Sequence, residues 1–289
     1  MDYLVNIENT PYYQWQIELL IESFNEKNVA GNLCVVLPVL NNNDVINKCF
    51  YRNIAKHNRK VQFHNFGEKK GCVLLNKIYA LQLALSNNLI SQPFALIEAD
   101  LVLKNHVPLT SNSGFPEFSF SMDPFFTLDL AEESMGPFWS WFGKDKTDIQ
   151  TKWLSIGECY AFNGFPPHFF YKVVADAEEL ALRQMLEGKK VWEHTVKIAF
   201  ILNIIDNFQN IRCQGDYGIV MPLMSSGETS FISYKTGFLP SFHKNMFQYV
   251  GNLSVSLGDP IEVLSQIHSS PNAEYVSHIA AQSISKRTG

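Results

Sequence analysis

The sequence predicts an α/β protein built on a mostly parallel sheet with helices on its faces. Two observations carry this. The first hundred residues alternate short apolar runs with amphipathic stretches, and parallel strands need crossover connections that are usually helical. The chain is also 46% hydrophobic and only 18% charged over 289 residues. That supplies a large core, and it excludes a disordered chain or a small disulfide-stapled scaffold.

The elements follow in order. Tyr3–Ile7 reads as a strand. Thr10-Pro11 supplies an N-cap and a proline at the first helical position, so a helix is expected over Tyr13–Asn25, with Trp15, Ile17, Leu19, Leu20 and Phe24 apolar. Asn32–Leu40 has the continuous apolar pattern of a buried strand. Asp44 caps a helix expected over Val45–His57, and Lys60–Asn65 is a further strand. Cys72–Ser86 is a helix through Leu74, Leu75, Ile78, Leu81, Leu83 and Leu85, and Pro93–Ala99 is a strand that runs into Glu98-Ala99-Asp100. Residues 106–170, rich in Phe, Pro, Gly and Trp, are expected to hold short strands at best. Helices are expected over Val173–Glu187, Val191–Asp206, Pro260–Ile267 (capped by Asp259) and Ala273–Lys286, and strands over Ile219–Met224 and Phe231–Tyr234.

Ligands of open α/β sheets bind beyond the carboxyl ends of the strands, so the turns after strands are where chemistry is sought. Glu98 and Asp100 stand at such a place. Two carboxylates there are either a polar strand end in water or oxygen donors for a hard divalent cation that also holds phosphate oxygens. The segment Thr10–Gln16 opens a helix whose free N–H groups suit an anion or a carbonyl. Thr10, Tyr12 and Gln16 are its candidates, while Trp15 reads as core. Asn76 and Lys77 begin a helix that the pattern buries, so the lysine either snorkels or holds a diphosphate. Glu193 is open to two readings: a base in an apolar pocket with a raised pKa, or a first-turn acid that complements the helix dipole. Asp123, in Asp123-Pro124-Phe125-Phe126, is equally open. His243 alone would not be singled out.

The net charge of −5 excludes a basic nucleic-acid-binding domain as a whole. Residues 44–70 nevertheless hold seven Lys or Arg against two Asp or Glu. Lys48, Arg52 and Lys56 fall four apart on one predicted helix face. Such a stripe is either a solvated face or a track for a phosphodiester backbone. The five cysteines are dispersed with no C-x-x-C pair, which suits a reducing compartment and argues against a structural zinc site. No signal peptide or membrane span is legible, so a cytoplasmic protein with no membrane partner is expected. Aromatics make up 13% of the chain, a surplus expected to line a cleft in part.

Three stretches carry a family resemblance: Thr10-Pro11-Tyr12-Tyr13-Gln14-Trp15-Gln16, Leu75-Asn76-Lys77-Ile78-Tyr79-Ala80-Leu81, and Phe94-Ala95-Leu96-Ile97-Glu98-Ala99-Asp100-Leu101-Val102-Leu103. Pro124-Phe125-Phe126, Ile156-Gly157 and Trp192-Glu193 add weaker echoes. In this order they resemble nucleotide-sugar-dependent glycosyltransferases of the GT-A fold, and within them the hydroxyproline O-arabinosyltransferase and peptidyl-serine galactosyltransferase group, over residues 3–245. The resemblance implies a GT-A-like sheet in which residues 1–105 bind the nucleotide sugar. Residues 106–250 form the aromatic-rich acceptor half, and residues 251–289 a helical tail. It implies a UDP-sugar donor with Mn²⁺ or Mg²⁺. Asp100 and His243 would bind the metal with Glu98 beside them, Asn76 and Lys77 would approach the nucleotide sugar, and Thr10 and Tyr12 the uridine. Glu98-Ala99-Asp100 stands where that group has Asp-Pro-Asp, a departure at the first carboxylate. The relatives are anchored secretory enzymes, whereas this chain reads as cytoplasmic and its asparagine-rich composition points to an AT-rich bacterial or viral genome. With the basic stripe, this directs the expected acceptor to 5-hydroxymethylcytosine in phage double-stranded DNA, and the sugar to arabinose.

Overall fold

The structure, a computed structural model, describes residues 1–8, 11–39, 61–67, 73–105, 114–215, 219–220, 230–233, 259–268 and 270–288. Along the chain the elements are β1 (Asp2–Asn6), α1 (Pro11–Glu26), β2 (Leu33–Val39), β3 (Val61–Gly67), a 3-10 turn at Val73–Leu75 that leads into α2 (Asn76–Ser86), β4 (Phe94–Ile97), β5 (Leu101–Leu103) and β6 (Glu117–Met122). Next come α3 (Leu128–Met135), α4 (Phe138–Trp141), α5 (Lys146–Thr151), β7 (Ile156–Asn163), α6 (Pro167–Leu186), α7 (Thr195–Asp206), β8 (Arg212–Gly215), β9 (Ile219–Val220), β10 (Phe231–Ser233), α8 (Pro260–Leu264) and α9 (Pro271–Thr288). The helix expected over Val45–His57 lies outside the described residues. Among the described residues no helix is long and apolar enough to cross a membrane.

The chain packs into two compact units that interleave in sequence. One comprises residues 1–4, 66–96 and 109–217, the other residues 5–65, 97–108 and 218–289.

In the first unit the strands run in the order β1-β4-β7-β6-β8. β7 is antiparallel to both β4 and β6, and β8 is parallel to β6. Among β4, β6, β7 and β8, β7 is thus the reversed strand. Alternate residues of a strand share a face, so Glu158, Tyr160 and Phe162 of β7 point the same way. The helix α7 covers that face. It is buried at every position from Thr195 to Ile205. Its Phe200 packs on Tyr160 and Phe162, with ring centroids 5.1 and 5.4 Å apart. Phe170 of α6 meets Phe162 at 5.2 Å and Phe94 of β4 at 5.6 Å.

This packing corrects the expectations for residues 106–170. They hold two full strands rather than short ones, and most of their aromatics (Phe118, Phe120, Phe138, Phe162, Phe165, Phe169 and Phe170) are buried core rather than cleft lining. The helix expected from Val173 begins at Pro167, because Pro166-Pro167 starts it at the first helical position instead of breaking the chain.

In the second unit the order is β3-β2-β1, with a small separate sheet β5-β10-β9. β10 is antiparallel to β5 and parallel to β9. The helices α8 and α9 close a core with Trp15 and Leu19 of α1, Val102 of β5 and Ile232 of β10. Asp259 caps α8 as expected, its Oδ1 accepting from the Ile261 N–H at 2.8 Å. Trp15 is core, as its spacing implied.

β6 and β7 approach each other closely at Gly157. A Cβ there would lie 2.3 Å from Ser121 Oγ and 3.0 Å from the Ser121 carbonyl oxygen. Gly157→Ala is therefore expected to destabilise the fold by about 1–3 kcal/mol, read as a lower midpoint in urea. An unchanged midpoint would mean that the strands give way freely here.

Candidate functional site

The second unit gathers the strand-end residues. β1 runs out into Ile7 and Glu8, α1 opens with Tyr12 and Tyr13, and β4 ends in the turn Glu98-Ala99-Asp100 before β5. Asp100 is buried and Glu98 half-buried. Their common neighbour is Tyr13. Burial pushes its hydroxyl well above the ordinary tyrosine range, and Glu8, Tyr12, Glu98 and Asp100 push it further. Carboxylates from the ends of two strands thus act on one phenol. Tyr12 packs edge-on against Tyr13 and Trp15, at 5.0 and 6.5 Å. Gln16 is buried, and its Nε2 donates to the Tyr12 carbonyl at 2.8 Å. This contact holds the first turn of α1. Thr10 and His243 lie outside the described residues.

Among the described residues no three His, Cys, Asp or Glu side chains form a complete metal cage. The Glu98–Asp100 turn offers oxygen donors only. One or two carboxylates completed by phosphate oxygens is the set that Mg²⁺ takes. The residues present therefore fit a hard divalent cation that arrives with a phosphorylated ligand.

The first unit holds a different constellation. α7 is apolar apart from Thr195, Lys197 and Asn203 along its buried stretch. Lys197 is 2% exposed. Its Nζ lies 2.7 Å from Glu158 Oε1 and 3.3 Å from Asp123 Oδ2. Lys77, at the start of α2, donates to the Glu158 carbonyl at 2.8 Å, and its Nζ is 3.8 Å from Glu158 Oε2. It also lies over the Tyr160 ring at 5.1 Å. A chain of alternating charge, Lys77–Glu158–Lys197–Asp123, thus joins α2, β7, α7 and the loop after β6.

Aromatic side chains stand beside it. Phe126 lies 5.0 Å from Lys197 Nζ and contacts Trp153, Trp192 and His194. Phe125, two residues after Asp123, is 84% exposed. His194 meets Trp192 at 4.8 Å. Burial and then the Lys197 cation push its imidazole below the ordinary value, against the opposing pull of Glu158, Glu193 and Asp123.

Four sequence expectations meet this unit. Asp123 is in the cluster. Lys77 is engaged by Glu158 inside the protein. Asn76 is 2% exposed, and neither end of its amide has a hydrogen-bond partner among the described residues, a vacancy that a ligand's polar groups could fill. Glu193 is corrected: it sits in the turn before α7 rather than opening the helix, and its side chain is 72% exposed, so no apolar pocket surrounds it. The helix starts later than expected because Thr195 Oγ1 donates to the Trp192 carbonyl at 2.7 Å and accepts from Gln184 Nε2 at 3.0 Å. These bonds hold residues 192–194 as a turn. Sequence reasoning missed Glu158, His194 and Lys197. The one signal for Lys197 was a lone charge in an otherwise apolar helix, which must find a partner. The stripe of Lys48, Arg52 and Lys56 lies outside the described residues.

No family model matches the chain, and no curated protein matches its sequence. Solved structures do match. The galactosyltransferase LgtC, solved in complex with donor and acceptor sugar analogs, superposes with a TM-score of 0.53 at 10% identity, over 98% of this chain and 96% of that one. The chain has the GT-A glycosyltransferase fold. An active-site mutant of LgtC matches with a TM-score of 0.52 at 9% identity and the same coverage. The bifunctional glycosyltransferase WbbM, in its apo form, matches with a TM-score of 0.48 at 14% identity, over 82% of this chain and 46% of that one. In this GT-A fold the Glu98–Asp100 turn occupies the carboxyl end of β4, where open α/β sheets take their ligands.

His194 gives a direct check of this electrostatic picture. Its imidazole should titrate below 6.5 by NMR. Because the unfolded chain then binds the proton first, the folded state loses stability as pH falls from that value through the lowered one. His194→Gln should flatten this loss. A titration at or above 6.5 would contradict the burial.

Proposed function

We propose that the chain is a metal-dependent glycosyltransferase that moves a sugar from a UDP-sugar to a hydroxyl acceptor. The observation that carries this reading is the Glu98–Asp100 turn beside Tyr13, at the carboxyl end of β4 in a GT-A fold. That LgtC was solved with donor and acceptor sugar analogs supports it. Asp100 would hold Mn²⁺ or Mg²⁺, with Glu98 beside it and His243 as a further ligand. Such an ion, when bound, neutralises the charge of the departing diphosphate.

The chain's own residues do the rest. The first turn of α1, with Thr10 and Tyr12, receives the uridine, and Gln16 fixes that turn through its bond to the Tyr12 carbonyl. Asn76 would offer the donor an amide that has no hydrogen-bond partner among the described residues, and Lys77 would supply positive charge next to it in sequence. On the acceptor side, Asp123 is better suited than Glu193 to take the proton. Its Oδ1 accepts from the Phe125 N–H at 3.2 Å and its Oδ2 is paired with Lys197, whereas Glu193 stands in solvent. The acceptor O–H proton passes to the Asp123 carboxylate as the acceptor oxygen bonds to the anomeric carbon. The anomeric C–O bond to the diphosphate breaks, and UDP leaves.

For the acceptor we propose 5-hydroxymethylcytosine in phage DNA, with arabinose as the sugar. The arabinosyltransferase resemblance and the stripe of Lys48, Arg52 and Lys56 support this, as does the exposed Phe125, which offers a base a stacking surface. Mass spectrometry of products from a UDP-sugar panel, with hydroxymethylated duplex and with sugar acceptors, tests it. Modified nucleotide is the expected product, and transfer only to a sugar, protein or small molecule would move the acceptor elsewhere.

Asp100→Ala should abolish metal-dependent turnover. Undiminished turnover would sink the assignment. Thermal stabilisation by UDP with Mn²⁺ but no turnover of any donor would favour a nucleotide-sugar-binding protein without catalysis. Neutralising Lys48, Arg52 and Lys56 together should raise KM for DNA and flatten its salt dependence. No change in either would return the stripe to plain surface.

A further inference from the structure

We propose that Lys197 is a positioning residue for transfer, whose buried ammonium fixes the carboxylates of Asp123 and Glu158 and thereby sets the place at which the acceptor hydroxyl gives up its proton. The inference rests on the glycosyltransfer reading above.

Lys197 lies beneath the two carboxylates. Its side chain is 3% exposed, while those of Asp123 and Glu158 are 29% and 33% exposed. A cation so enclosed meets substrate poorly, so its effect passes through its partners. Stability does not explain it. Burying an ammonium costs desolvation, and an apolar side chain of similar volume on this apolar helix would serve packing as well or better. What the ammonium adds is direction. It ties Asp123 Oδ2 from one side while the Phe125 N–H ties Oδ1 from the other. It ties Glu158 Oε1 while Lys77 faces Oε2.

The anchor is itself fixed. Lys197 precedes Phe200 by three residues on one face of α7. Phe200 is locked on Tyr160 and Phe162 of β7, the strand and face that carry Glu158. The Phe126 ring lies 5.0 Å from the ammonium and carries the contact on to His194 and Trp192. Loss of the ammonium leaves both carboxylates free to swing into solvent with their charge intact.

The test compares Lys197→Met, Lys197→Arg, Asp123→Asn and the double variant Asp123→Asn/Lys197→Met, each assayed with a turned-over UDP-sugar. Lys197→Met should lower kcat roughly 10²-fold, as a misplaced catalytic group does, with the donor KM little changed. Lys197→Arg should recover part of the loss. In the Asp123→Asn background, Lys197→Met should cost little more, because the two act as one unit. A folding defect would instead add its own loss to the double variant. The His194 resonance supplies a readout independent of turnover. In folded Lys197→Met it should titrate higher than in the parent, because the cation is gone while Glu158, Glu193 and Asp123 still face it. Undiminished kcat in Lys197→Met, or losses that multiply in the double variant, would overturn the inference and leave glycosyltransfer standing. A parent enzyme that turns over no UDP-sugar would remove the reading beneath it and the inference together.

Discussion

The charge cluster of the first unit depends on how α7 lies on β7. A helix buried from Thr195 to Ile205 can carry a charge in that stretch only where a counter-charge waits, and β7 supplies one at Glu158. The strand places Glu158, Tyr160 and Phe162 on one face by its period of two, and the helix places Lys197 and Phe200 on one face by its period near four. The two periods meet so that phenylalanine packs on phenylalanine and lysine on glutamate. Each contact fixes the register of the other. Asp123, Lys77 and His194 then assemble around a lysine whose position is already decided.

The strand-end residues of the second unit depend on a different constraint, the ends of the strands. β1 and β4 each run out into acidic residues, and α1 brings Tyr13 among them. Glu98 and Asp100 stand in the turn that follows β4, at the carboxyl end of a strand where open α/β sheets take their ligands, which is why this turn carries the functional reading.

What the sequence made legible was local. The proline at the start of α1, the Asp259 cap of α8 and the apolar run into Glu98-Ala99-Asp100 are patterns of neighbouring residues, and each stands where it was expected. β7 was not legible, because Gly157 and Glu158 interrupt its apolar run. The cluster around Lys197 was illegible for a deeper reason. Its members come from four elements, and only the antiparallel pairing of β7 between β4 and β6 brings Glu158 to them. The aromatic surplus misled because abundance says nothing of face: most of those rings fill the core, and Phe125 is among the few that meet solvent.

The measurement that tests the account most directly is a crystal structure with UDP and Mn²⁺ bound. A metal held by the Asp100 carboxylate, together with uracil against the first turn of α1, is the expected result. UDP bound away from the Glu98–Asp100 turn, or a protein that takes up neither UDP nor metal, would contradict it.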